Sequence, residues 1–199
     1  MSSAPVSFYF DLQSPLAYLA AERALRVLPG PAPWRPVLAR ELPGAERFDA
    51  FRCGEEEEIF RAELERRAVE LELQPMRWPE PFPFDSELAM RVATYAASIG
   101  RAVAFAQAAF RQAFAGGHRL DDPDHVVIAA AACEMHPAAV LSAARQQAVR
   151  RTLARATGRA ASLGVRDVPA VVVGDRVFHG ERALEDAAAH ARGLEPAAR

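Results

Sequence analysis

Runs that read as β-strand occur only at the two ends of this chain, and that placement limits the fold more than any other feature. Near the start, VSFYF (6–10) and WRPVLA (34–39) are short extended segments. Near the end, VPAVVVGDRVFHG (168–180) reads as strand, Gly-Asp turn, strand, the signature of a hairpin. From about residue 54 to 162 there is almost no β-like run. EEEEIFRAELERRAVELEL opens with carboxylates, where the helix dipole favours them, and spaces its apolar residues helically. PMRWPEPFPF is a proline-rich turn region. SELAMRVATYAASIG, RAVAFAQAAFRQAFAGG, DPDHVVIAAAACEMH and PAAVLSAARQQAVRRTLARATGRAASLG follow, each helical and each bounded by Gly, Pro or Asp.

Residues 15–28 are predicted as a helix closed by the breaker PGPAP, so the two N-terminal strands are joined by a helical crossover and should pair in parallel. ERALEDAAAHARG closes the chain as a helix. The order is then β-α-β, a helical block, β-β-α, with all four strands in one sheet. This predicts an α/β, thioredoxin-like fold with a large all-helical insertion. The expected division is 1–42 and 147–199 for the thioredoxin-like domain and 43–146 for the insertion.

Composition bounds the function. Of 199 residues, 51% are hydrophobic and 25% charged, enough for a sizeable core. A net charge of -2 offers no basic excess for nucleic acid. Every basic side chain of the Lys/Arg class is Arg, so no lysine can form a Schiff base. The N-terminus lacks a basic segment followed by an apolar core, and no apolar run is long enough to span a bilayer. A cytoplasmic protein without a membrane partner is the expectation. Cys53 and Cys133 lie far apart with no Cys-x-x-Cys, which suits a reducing compartment. Cys133 and His136 could share a helix face, but a zinc site needs three or four ligands and no second pair is in sight, so no metal is expected. Asp121, Asp122 and Asp124 read as loop and cap chemistry for the next helix, and Cys53 stands just before the helical block.

One local feature carries chemistry. Ser14-Pro15 stands where the first strand gives way to an alanine-rich helix. Serine at the N-cap accepts from an orphan amide, and proline at the first helical position has no amide to leave unpaired. In a thioredoxin-type fold, the proline before the hairpin strand is cis and faces this helix start; Val168-Pro169 occupies that place.

The stretches FYFDLQSPLAYLA, PEPFPFDSELAMR, GVRDVPAVVVGD and FHGERALE, in this order, resemble the 2-hydroxychromene-2-carboxylate isomerase family. That family is related to kappa-class glutathione transferases within the DsbA-like group. Redox members of the group carry Cys-Pro-x-Cys at the helix start; here the positions read Ser14-Pro15-Leu16-Ala17, with no thiol for disulfide exchange. The resemblance implies glutathione, or another low-molecular-weight thiol, with its sulfur at Ser14. A helix N-terminus stabilises a thiolate, and a hydroxyl donor adds a hydrogen bond to the anion.

By the same resemblance Val168, beside Pro169, would pair its backbone with the cysteinyl part of glutathione. His179, Gly180 and Glu181 would hold the γ-glutamyl end, and Phe84 would stand beside an aromatic or electrophilic small-molecule substrate. The chain departs from the family at Glu181, where Asp is usual, at Asp85, where Asn is usual, and at Arg166-Asp167. Arg40 or Arg52 would replace the family's substrate lysine. The implied activity is reversible addition of the thiolate to a conjugated aromatic enone acid. The alternatives are a kappa-like transferase and a redox-inactive, DsbA-like binder of thiols or peptides. Exposed helices would allow a homodimer.

Overall fold

The computed structural model describes residues 5–44 and 54–193. In chain order these form β1 (Val6–Phe10), α1 (Pro15–Val27), β2 (Trp34–Pro36), α2 (Gly54–Glu70), α3 (Glu87–Ser98) and α4 (Ala102–Phe114). Then come α5 (Pro123–Ala131), α6 (Pro137–Arg145), α7 (Gln147–Ser162), β3 (Ala170–Val173), β4 (Arg176–His179) and α8 (Ala183–Ala191). A 3-10 turn, Ala39–Glu41, follows β2. Arg52 and Cys53 lie outside the described residues.

The four strands make one sheet in the order β2-β1-β3-β4. β1 and β2 are parallel, as a helical crossover requires, with Phe8 opposite Trp34 and Tyr9 opposite Arg35. β1 and β3 are antiparallel, with Tyr9 opposite Ala170, and β3 turns through Gly174-Asp175 into antiparallel β4. The sheet therefore has the thioredoxin form, and α2 to α7 fill the interval between its two halves.

Strand alternation sorts the sheet's two faces. Phe8 and Phe10 point into the main core, where Phe8 meets Trp34 with ring centroids 4.9 Å apart and Phe10 meets Phe110 at 5.9 Å. α1 buries small alanines at 17, 20, 21 and 24 beside two larger side chains, Tyr18 and Leu19, and Tyr18 meets Phe114 with ring centroids 5.6 Å apart. Tyr9, Ala170 and Val172 point the other way into a smaller cluster with Val37, Val165 and Ala160 of α7.

One segment expected as a single helix is two. Gln146 is extended (φ -69°, ψ 131°), ending α6 and starting α7. α6 packs on α3 and α5, whereas α7 packs on α3 and β2, so the break lets one apolar run serve two surfaces. No helix among the described residues is long and apolar enough to cross a membrane.

Candidate functional site

The mouth of α1 is fixed by its own residues. Ser14 is extended (φ -84°, ψ 114°), and its Oγ accepts from the Ala17 N–H at 3.1 Å. The Tyr18 N–H donates to the Ser14 carbonyl at 3.1 Å, and Pro15 has no amide. Of the first-turn amides, that of Leu16 is left with no acceptor among the described residues. An unpaired amide at the positive end of a helix is an anion donor.

Across from this mouth lies the Val168–Pro169 bond, which is cis as the architecture demands. The Ser14 hydroxyl donates to the Val168 carbonyl at a long 3.4 Å, and Ser14 is only 2% exposed. The Val168 N–H is not free: it donates to Asp167 Oδ1 at 2.7 Å. A peptide pairing with Val168 must therefore displace the Asp167 carboxylate.

Leu16 and Val168 open onto a cleft of about 450 Å³, walled further by Gly44, Arg166, Asp167 and His179. The wall is drawn together by backbone. The Gly44 N–H donates to the Arg166 carbonyl at 2.7 Å, and a Cβ on Gly44 would lie 2.4 Å from that oxygen. Only glycine fits that approach. His179 Nε2 accepts from the Arg166 N–H at 3.1 Å, which places the neutral ring's proton on Nδ1. Gly180 turns the chain at φ +79°.

The expected site residues divide by place. Ser14, Val168, Pro169, His179 and Gly180 come together around this cleft. Glu181 stands beside it in a shallow recess over α1 and α2, near Arg23 and Arg67. Phe84 belongs to the main core at 4% exposure and is not part of the cleft's described lining. Arg40 is engaged elsewhere, bonding Asp85 at 2.7 Å and Glu87 at 2.6 Å. Asp85 also accepts from the Glu87 N–H, so the carboxylate found there in place of Asn both starts α3 and holds Arg40. Burial pulls the Glu87 carboxyl up, but hydrogen bonds from Arg40 and Arg91 outweigh it and hold it below the usual range.

Cys133 and His136 have structural duties. Cys133 is buried with its thiol donating to the Ala129 carbonyl, and burial pushes its pKa up. His136 caps α6 through Nδ1.

Sequence reasoning missed Asp11. It is 1% exposed; one carboxylate oxygen accepts from the Gln13 N–H at 3.0 Å and the other from the Ala39 N–H at 2.8 Å, with Ser86 a further partner. One side chain thus ties the approach to α1, the turn after β2 and the start of α3. Burial raises its pKa above the ordinary carboxylate value, more than the Ser86, Gln13 and Ala39 bonds lower it. The only signal in the sequence was a charge ending an apolar run.

A serine-capped helix facing a cis-proline across one end of a four-stranded sheet defines a thioredoxin-fold protein. The chain belongs to the DSBA-like thioredoxin domain family, whose sequence model matches residues 5–191. Among solved structures it is similar to a 2-hydroxychromene-2-carboxylate isomerase, at 18% identity and TM-score 0.79 over 94% of each chain. It is similar also to a probable DsbA oxidoreductase from Streptomyces coelicolor, at 19% identity and TM-score 0.72, covering 98% of this chain and 93% of that one. A third is the cytosolic disulfide reductase DsbM from Pseudomonas aeruginosa with GSH, at 14% identity and TM-score 0.62, covering 95% and 98%. At these identities the likeness is one of fold. No curated protein sequence matches.

Proposed function

We propose that this protein is a glutathione-dependent isomerase of the 2-hydroxychromene-2-carboxylate isomerase type. The observation that carries the reading is the pairing, at one helix mouth, of an unclaimed Leu16 amide with a serine hydroxyl whose own bond is long. Both donors strengthen when the acceptor is an anion. A thiolate at this point accepts the Ser14 hydrogen bond in place of the Val168 carbonyl, and the α1 dipole adds to the preference for the ionised form. Arg166 and His179 supply polar contacts along the cleft for the rest of the thiol compound. The solved DsbM structure with GSH supports a thiol tripeptide as a ligand this fold accommodates.

In the reaction, the thiolate sulfur bonds to the β-carbon of a conjugated enone and the π electrons move onto the carbonyl oxygen as an enolate. The former double bond, now single, rotates. The enolate then re-forms the double bond and expels the thiolate, so the sulfur is recovered and no net redox change occurs. Since Ser14-Pro15-Leu16-Ala17 holds no thiol, an insulin-reduction assay should show no activity.

The test is isothermal titration of reduced glutathione into the wild type and Ser14→Ala at about pH 6 and about pH 8, on either side of where a helix-stabilised thiol ionises. Binding should strengthen at the higher pH and weaken roughly tenfold in the variant, about 1.4 kcal/mol. Absence of both heat and thermal stabilisation at either pH overturns the reading. A second reading, a binder of thiol peptides without turnover, rests on Phe84, which the isomerase reading puts beside the substrate and which lies in the main core. It predicts tight binding with no glutathione-dependent isomerisation of any aromatic enone acid.

A further inference from the structure

The sheet face that carries Tyr9 is only partly covered, and what it exposes is chemically one-sided. Alternation along β1 puts Ser7 and Tyr9 on this face, and the parallel register sets Arg35 of β2 directly beside Tyr9. The covering helix, α7, presents Thr152, Ala156, Arg159 and Leu163 at helical spacing. Together with the end of α3, these close a cleft of about 420 Å³, within the range of small-ligand sites.

Among the described residues no carboxylate lines this cleft, although the chain as a whole is net acidic. α7 carries Arg150, Arg151, Arg155 and Arg159 and no acidic residue at all. Arg35 and Arg159 are both exposed and neither forms an ion pair among the described residues. Both guanidinium groups act on the same phenol: burial raises the Tyr9 pKa, while Arg35 and Arg159 each pull it down. Both line the one cleft, Arg35 opposite Tyr9 in the strand register and Arg159 on the covering helix. Ser98 and Thr152 at the rim are engaged locally: their hydroxyls donate to the carbonyls of Tyr95 and Ala148, and Thr152 Oγ1 accepts from Arg155 at 3.3 Å. Pro36 and Ala156 complete a wall with an apolar surface.

Two unpaired guanidinium forks above an apolar wall with no competing carboxylate make a recognisable set. We propose that this cleft binds a small organic anion, its carboxylate or phosphate group held between Arg35 and Arg159 and its apolar body laid against Tyr9, Pro36 and Ala156. Arginine suits the task because its planar fork matches either oxyanion with two parallel bonds. The site is separate from the thiol cleft, shares no lining residue with it and does not depend on that cleft's function.

The experiment is a titration of the ¹⁵N-labelled full chain, followed by amide chemical shifts, with sodium benzoate and, separately, phenyl phosphate. Saturable shifts at residues 7–9, 35 and 152–163 are expected, with a Kd of about 1 mM or tighter for at least one probe. Response to one probe alone identifies the preferred oxyanion. Arg35→Gln and Arg159→Gln should each weaken binding roughly tenfold, and added salt should weaken it too, because the cleft is open to screening. Ser14→Ala should leave the affinity unchanged, so failure of the thiol reading and failure of this one are distinguishable. The proposal is overturned by linear, non-saturating shifts with both probes, by an unchanged Kd in the double arginine variant, or by shifts confined to residues 166–168 and 179–180.

Discussion

The two clefts are nearly equal in volume, about 450 and 420 Å³, yet they are made of different material. The thiol cleft is built largely from backbone: a capped helix start, a cis-proline loop, a Gly44 amide on the Arg166 carbonyl and a glycine turn at 180. Two of its backbone amides already have partners within it, since Asp167 caps Val168 and His179 accepts from Arg166, while that of Leu16 has none among the described residues. The arginine cleft is built from side chains that four elements bring to one sheet face, and its two guanidinium groups have no acidic partner there. Backbone-built sites are rigid and hard to alter without cost to the fold. Side-chain sites can be emptied one group at a time. The two should therefore answer differently to substitution.

The largest expected effect tests the rigid wall. Gly44→Ala places a Cβ against the Arg166 carbonyl, backbone against backbone with nothing flexible to yield. It should destabilise the protein by about 1–3 kcal/mol, as overpacking does, and weaken glutathione binding while sparing benzoate binding. Thermal unfolding with both titrations reads this; an unchanged melting temperature would mean the approach is not tight in solution.

A smaller effect of opposite sign is expected from Asp167→Ala. Removing the carboxylate frees the Val168 N–H for an extended thiol peptide, so glutathione affinity should rise a few-fold, within the roughly 0.5–1.5 kcal/mol of one hydrogen bond. A fall in affinity would assign Asp167 to the ligand and not to the cap.

The smallest effect concerns Asp11, which joins three segments of the chain. Its carboxyl is raised by burial, so between the unfolded and folded pKa values the native state binds the proton more readily than the unfolded chain. Stability should then fall as pH rises through that window, above the ordinary carboxylate value of 3.8. Glu87, whose pKa is lowered, acts in the opposite sense and at lower pH, losing its contribution as pH falls. Urea unfolding across mildly acidic pH should show the Asp11 slope in the wild type and a flatter one in Asp11→Asn. Equal slopes would return Asp11 to ordinary titration.

How much was legible follows the same division. Ser14, Pro15 and Pro169 could be read because each acts within its own stretch of chain: a cap, a missing amide, a cis bond at a place set by strand order. The hairpin glycine and the crossover were legible for the same reason. Phe84 was expected beside the substrate and lies in the main core, because an aromatic in a proline-rich loop can turn either way and packing decides. Arg40 was expected to be available and is held by Asp85 and Glu87, carboxylates more than forty residues away in sequence.

Local chemistry in the sequence determined the strands at both ends, the capped helix between the first two, the helical block and the cis-proline facing Ser14. These rest on interactions between residues a few positions apart, or on strand order, both of which can be read along a chain. Only the tertiary structure decided that Gly44 must touch Arg166, that Asp11 joins three segments, and that Arg35 and Arg159 share one face without a carboxylate. Those relations depend on distances between segments that packing alone sets, since side chains meet in space and not in sequence.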